Sequence, residues 1–156
     1  MILLMAGLWA AMPAMAQTSG TMDSQLKMLL QFKGSWETDT AIMQAGGKEY
    51  HFAYYAEFEP TADNTGTVLP EGASIPGMGR LNGENLAGIN RYDGKVHWFS
   101  VDNMGTAHEH TGMFTDEKHF AMQYKSMQEG KEFVETVEIE FPDANTLNLK
   151  QTATSD

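Results

Sequence analysis

Apolar and polar residues alternate with a period of two along most of the chain, the mark of strands with one buried and one solvated face. Tyr50, Phe52, Tyr54, Ala56 and Phe58 alternate with Glu49, His51, Ala53, Tyr55, Glu57 and Glu59. Phe133, Glu135, Val137, Ile139 and Phe141 do the same against Glu132, Val134, Thr136, Glu138 and Glu140, and Phe120, Met122 and Tyr124 form a shorter run. Trp36, Thr38, Thr40 and Ile42 are expected on one face of a first strand. Gly46-Gly47, Asp93-Gly94, Glu129-Gly130 and Pro142-Asp143-Ala144-Asn145 supply turns, and Leu147 and Leu149 open a last strand.

The pattern centres on a hairpin, with strands expected at Lys95–Val101 and Thr106–Gly112 joined by a tight turn at Asp102-Asn103-Met104-Gly105. Leu86–Tyr92 has strand character before it. Pro60–Asn85, rich in glycine and carrying Pro60, Pro70 and Pro76, reads as one long irregular segment with a short strand near Thr67-Val68-Leu69. A short helix is expected over Gln25–Phe32, capped by Asp23 or Ser24 and stopped at Gly34, with Leu26, Leu29, Leu30 and Phe32 on its apolar face. About nine antiparallel strands in sequence order, with no helix between them, close most easily into an up-and-down barrel. The expected class is therefore all-β, an antiparallel barrel with a short N-terminal helix.

Composition narrows the functions open to such a barrel. The chain has 156 residues, which fits one domain, and 21 acidic against 10 basic residues give a formal charge of −11. That excess repels phosphate backbones, so nucleic acid is not an expected partner. The absence of cysteine excludes disulfides, thiolate metal sites and cysteine nucleophiles. The uncharged apolar run Met1–Met12 ends in Ala14-Met15-Ala16 before Gln17, which reads as a signal peptide over residues 1–16 and a single domain over 17–156. The mature chain is then expected outside the cytoplasm, periplasmic or secreted, with no membrane insertion.

Gly34-Ser35-Trp36 after a short helix resembles the Gly-x-Trp opening of lipocalins and other calycins, in which the Trp closes the barrel floor. Tyr92-Asp93, Trp98, the run Val101-Asp102-Asn103-Met104-Gly105-Thr106 and Gly112 resemble the bacterial, often exported DUF1579-type family of calycin-like proteins of unknown function. The resemblance covers Leu26 to Asp156 and implies a calycin-like barrel, but no activity. It departs at Gly46–Asn85, which lacks the expected glycine-rich pattern, and at the end, where no turn or closing strand follows Thr152-Ala153-Thr154-Ser155-Asp156. That leaves open a barrel short of its last strand.

Two constellations carry candidate chemistry, and both depend on turn parity. Two-residue turns at Asp93-Gly94 and Glu129-Gly130 set Val96 against Arg91, Trp98 against Ile89, Tyr124 against Glu135 and Met122 against Val137. Even turns elsewhere would complete an inward row Ile89–Trp98–Glu109–Tyr124–Glu135, with Arg91 one step along. Trp36, Arg91, Trp98, Glu109, Tyr124 and Glu135 are accordingly the expected ligand-binding residues, lining a cavity of about a few hundred Å³. The other reading of the charged members is an internal ion pair near the barrel mouth. In the same register His108 and His110 share the outer face with His97 opposite, a workable zinc set with an open fourth position. An uneven turn at Asp102–Gly105 would instead rotate His108 and His110 inward beside Trp98 and separate His97. His51 and His119 have no companion and read as surface residues. No catalytic residue can be assigned, since Gly-x-Ser-x-Gly, phosphate-binding glycine loops and His-Glu-x-x-His are all missing. The leading expectation is a barrel that binds a small, partly apolar ligand. The alternatives are a metal-binding protein or metal-dependent enzyme, and a structural module of the envelope.

Overall fold

The computed structural model describes residues 21–45 and 48–155. Among them nine strands lie in the sheet in the order of the chain, each antiparallel to the next. They are β1 (Gly34–Ala45), β2 (Lys48–Pro60), β3 (Gly66–Ile75), β4 (Gly79–Ile89), β5 (Val96–Asp102), β6 (Ala107–Phe114), β7 (His119–Gln128), β8 (Lys131–Asp143) and β9 (Thr146–Ser155). The sheet curls into a nearly closed barrel with one unsealed seam, where β1 and β9 do not pair. The all-β barrel with a short N-terminal helix is thus what the alternation implied, although closure is incomplete. The expected signal peptide and the Gly46-Gly47 turn lie outside the described residues.

Helix α1 (Met22–Leu29) runs on into a 3-10 turn at Leu30–Phe32 and covers one end of the barrel. It begins earlier than Asp23 or Ser24, because the Thr21 hydroxyl accepts from the Ser24 amide at 3.4 Å. Asp23 then falls in the first turn, where its charge favours the positive end of the helix dipole. Gln25, not Leu26, is fully buried on the helix face. Its amide donates to the Phe114 carbonyl at 3.0 Å and accepts from the Phe114 amide at 2.8 Å, tying the helix to β6.

Under the helix the barrel is plugged by aromatic rings. Phe32 touches Phe58, Trp98, Phe114, Phe120 and Phe141, with ring centroids 4.8–6.1 Å apart. Trp36 donates from Nε1 to the Phe32 carbonyl at 2.7 Å and meets Phe141 edge-on. At this end, side chains from the helical segment and β1 therefore reach β8, and the seam is bridged without backbone pairing. Trp36 is half-buried and packs against the aromatic core at this plugged end.

Four readings of the strands are corrected. The segment Pro60–Asn85 is not irregular: β3 and β4 occupy most of it, in continuous register from Gly66–Gly88 to Ile75–Gly79. Small inward residues conceal them: Ala73 and Ala87 are buried, and Ala87 packs in the aromatic core. In β1 a bulge between Thr38 and Ala41 shifts the phase, so Ala41 and Met43 turn inward and Ile42 is 59% exposed. The Asp93-Gly94 turn is longer than two residues, because Asn90 bonds to Lys95 and Gly94 to Asn90, and Val96 pairs with Ile89. The turn after β5 is uneven: Val101 pairs with Ala107, and Trp98 with His110. Its shape follows from Asp102, whose carboxylate accepts from the Met104 amide at 2.8 Å and the Thr106 amide at 3.0 Å. The Glu129-Gly130 hairpin is as read, with positive φ at both residues and Tyr124 opposite Glu135.

Candidate functional site in the polar half of the lumen

Burial changes along the barrel axis. Inward residues near the helix, such as Val96, Trp98, Phe120, Met122, Val137 and Ile139, are buried. Inward residues farther along the same strands, Ser100, Tyr124 and Phe133, are half-buried. The helix end of the lumen is therefore plugged, and solvent reaches into the other end along β5 to β8, while Ala73 and Ile75 on β3 remain buried. At the boundary a belt of polar side chains runs round the inner wall from β2 to β9.

On β2 to β5 the belt is a self-satisfied network. The Tyr54 hydroxyl donates to Glu71, which also accepts from the Asn85 amide at 3.0 Å. The Asn85 carbonyl oxygen accepts from Trp98 Nε1 at 3.0 Å and from the Ser100 hydroxyl. Burial, reinforced by the charge of Glu71, holds the Tyr54 phenol above its ordinary range, so it stays a donor. Trp98 is thereby held in the core by its ring and in the belt by its nitrogen.

On β6 to β9 the belt contains His108, His110, Tyr124, Glu135 and Gln151. The uneven turn rotates both histidines inward, because a one-residue slip moves every side chain to the opposite face. His110 Nε2 donates to Glu135 Oε1 at 3.0 Å, while His108 Nε2 stands 3.9 Å from the same oxygen. Gln151 Nε2 donates to that oxygen at 2.7 Å from the edge strand. The Tyr124 ring stacks on His108 at 4.3 Å. Side-chain exposure is 11% for His108, 4% for His110 and 12% for Glu135. His108 Nε2 and His110 Nδ1 are buried without a hydrogen-bond partner. Burial, and then the neighbouring His110, push His108 below its ordinary pKa. The hydrogen bond from His110 holds the Glu135 carboxyl low against the opposing effect of burial.

The same slip sends Glu109 outward and leaves His97 on the outer face, away from the other two histidines. There His97 Nδ1 donates to Glu109 at 2.7 Å and Nε2 to Asp93 at 3.0 Å. Arg91 lies in the exposed loop after β4, where it donates to the Tyr92 hydroxyl at 2.8 Å. The structure thus brings Trp98, Tyr124 and Glu135 together with His108 and His110, sets Trp36 at the plugged end, and places Arg91, Glu109 and His97 outside. His51 and His119 are on the surface beside Glu49 and Asp116. Glu71, Asn85, Ser100 and Gln151 were not singled out from the sequence. The alternation Thr67, Leu69, Glu71, Ala73, Ile75 against Val68, Pro70, Gly72 and Ser74 carried a signal for Glu71. A groove of about 510 Å³ runs over the outer face of β7–β9 between His119, Glu138, Glu140, Asn148 and Lys150, and neither Trp36 nor Trp98 lines it.

The histidines give a pH prediction. The Asp93 hydrogen bond, with Glu109 on the other nitrogen, outweighs partial burial and raises the His97 pKa. In an NMR titration of the imidazole nitrogens, His97 should titrate above about 6.5 and His108 below it. The His97 contribution to stability is complete below that value and is lost as pH rises through the folded pKa. His108 acts in the other direction: acidification from about 6.5 destabilises the fold, because the unfolded chain takes up that proton first. The reverse order of midpoints would contradict the geometry described.

Comparison with family models, with curated proteins and with solved structures finds no match to this chain. Among the described residues no helix is long and apolar enough to cross a membrane.

Proposed function

We propose that the protein is an exported, calycin-like carrier that binds a small, partly apolar ligand in the unplugged half of its lumen. The observation that supports this reading is the burial gradient. On β5 to β8 inward side chains are buried at the helix end but half-buried and mostly polar at the belt, as Ser100, His108 and Tyr124 are, while on β3 Ala73 and Ile75 stay buried as far as the strand runs. Apolar walls with a few convergent polar groups are what small-molecule sites use for affinity and orientation. Phe52 on β2 and Phe133 on β8 supply half-buried apolar surface. The Gly-x-Trp opening and the apolar run before Gln17 agree with a calycin relationship and with export.

The test is a titration with N-phenyl-1-naphthylamine, a neutral apolar dye that fluoresces when it leaves water. Saturable binding is expected, with energy transfer from Trp98. Ser100→Trp, which fills the lumen at the belt, should weaken binding by about tenfold or more, about 1.4 kcal/mol. Dye signal that never saturates, or that is the same in Ser100→Trp, would remove the carrier reading.

A further inference from the structure

We propose that His108, His110 and Glu135 form a site for one divalent transition-metal ion, zinc by its ligand chemistry, inside the barrel. One donor atom from each lies within 4.8 Å of the others. In a tetrahedral site with metal–ligand bonds of 2.0–2.2 Å, donors stand about 3.3 Å apart. The His110–Glu135 and His108–Glu135 separations of 3.0 and 3.9 Å bracket that value, so small side-chain rotations suffice.

Three observations distinguish this group from an ordinary internal ion pair. First, two buried ring nitrogens have no hydrogen-bond partner, and such groups call for an explanation in a native fold. His108 Nε2 is one of them, and it faces Glu135. Second, the donors are fixed from outside. Tyr124 stacks on His108, and Gln151 hydrogen-bonds the carboxylate, the kind of support that orients metal ligands. Third, all three donors stand on strands two residues or two strands apart, so the set is formed before any ion arrives.

The donor chemistry selects the ion. Two imidazoles and one carboxylate suit zinc and its borderline neighbours, whereas calcium and magnesium require oxygen donors. Three protein ligands leave a fourth position for water or a small donor, unlike structural zinc sites, which are closed by four protein ligands. The open half of the lumen gives access to it. The proposal needs no organic ligand and stands or falls apart from the carrier reading.

The test uses untagged, EDTA-treated protein titrated with zinc sulfate by calorimetry, with cobalt(II) absorption as a second readout. Wild type should bind one equivalent and give the intense visible bands of four-coordinate cobalt. His108→Ala and Glu135→Gln should each weaken zinc binding by about a hundredfold or more. His97→Ala, on the outer face, should leave it unchanged. No saturable zinc binding by wild type overturns the site, whatever the variants do. So does equal binding by wild type, His108→Ala and Glu135→Gln, or loss of binding in His97→Ala. Dye binding by the metal-free protein is measured separately, so failure of one proposal does not carry the other with it.

Discussion

Replacing Phe32 by alanine should cost about 3–5 kcal/mol of folding stability, the range for a large aromatic lost from a packed core. Phe32 is 0% exposed and its ring touches five other aromatic rings from β2, β5, β6, β7 and β8. No neighbour can collapse into the space, because each is held by its own strand and the plug closes over it. Phe32 also contributes to the side-chain bridge that joins the two sides of the seam. In a domain of this size each kcal/mol moves the melting temperature by about 2–4 °C, so a fall of about 10 °C is expected. Urea unfolding of Phe32→Ala and Phe32→Leu decides it, the leucine variant losing less. A loss below about 1 kcal/mol in the alanine variant would mean that the plug does not hold the barrel together.

Gly112→Ala is expected to cost about 3 kcal/mol, at the upper end for an overpacked site. A Cβ at Gly112 would stand 2.1 Å from the Ala121 carbonyl oxygen and 2.5 Å from Met122 Cα. Both are backbone atoms of β7, so no rotamer change relieves the clash and the strands must separate. The contrast is Gly105, where φ is +98° and nothing lies within 4 Å of an added Cβ. There the substitution strains only the turn, at about 1–2 kcal/mol. Chemical denaturation of the two variants, with amide exchange along β6, measures the difference. Gly112→Ala unfolding at the wild-type midpoint would refute the close approach of β6 to β7.

The legibility of this fold followed the contrast between its two faces. β2, β7 and β8 pair strongly apolar inward positions with charged outward ones, and Glu129-Gly130 sets an even register, so Tyr124 and Glu135 are placed correctly from sequence. β3 and β4 carry glycine, alanine and proline where bulky residues would announce a strand: Ala87 borders the aromatic core, the Tyr55 ring covers Gly72, and the Glu71 side chain lies over Gly83. The candidate site turned on a single residue of parity. The Asp102 carboxylate stabilises the longer turn, a competition between local hydrogen bonds that residue types alone do not resolve. Once that turn is uneven, Glu109 exchanges faces with His108 and His110. The bulge in β1 exchanged Ile42 for Ala41 and Met43 in the same manner.

The strict sequential order of the strands determines where chain entropy is spent. Every sheet pairing joins neighbours in sequence, so each needs only a short loop to close. The hydrogen bonds from Gln25 to Phe114 instead span 89 residues. Made on an otherwise open chain, that contact would cost about 3 kcal/mol more in loop closure than a three-residue hairpin turn. Once β1 through β6 have zipped together, the strands between have already met that cost, and the helix has only the few residues before Gly34 to position. The clasp at the closed end is thus conditional on the wall it fastens, and its integrity reports on that of the intervening strands.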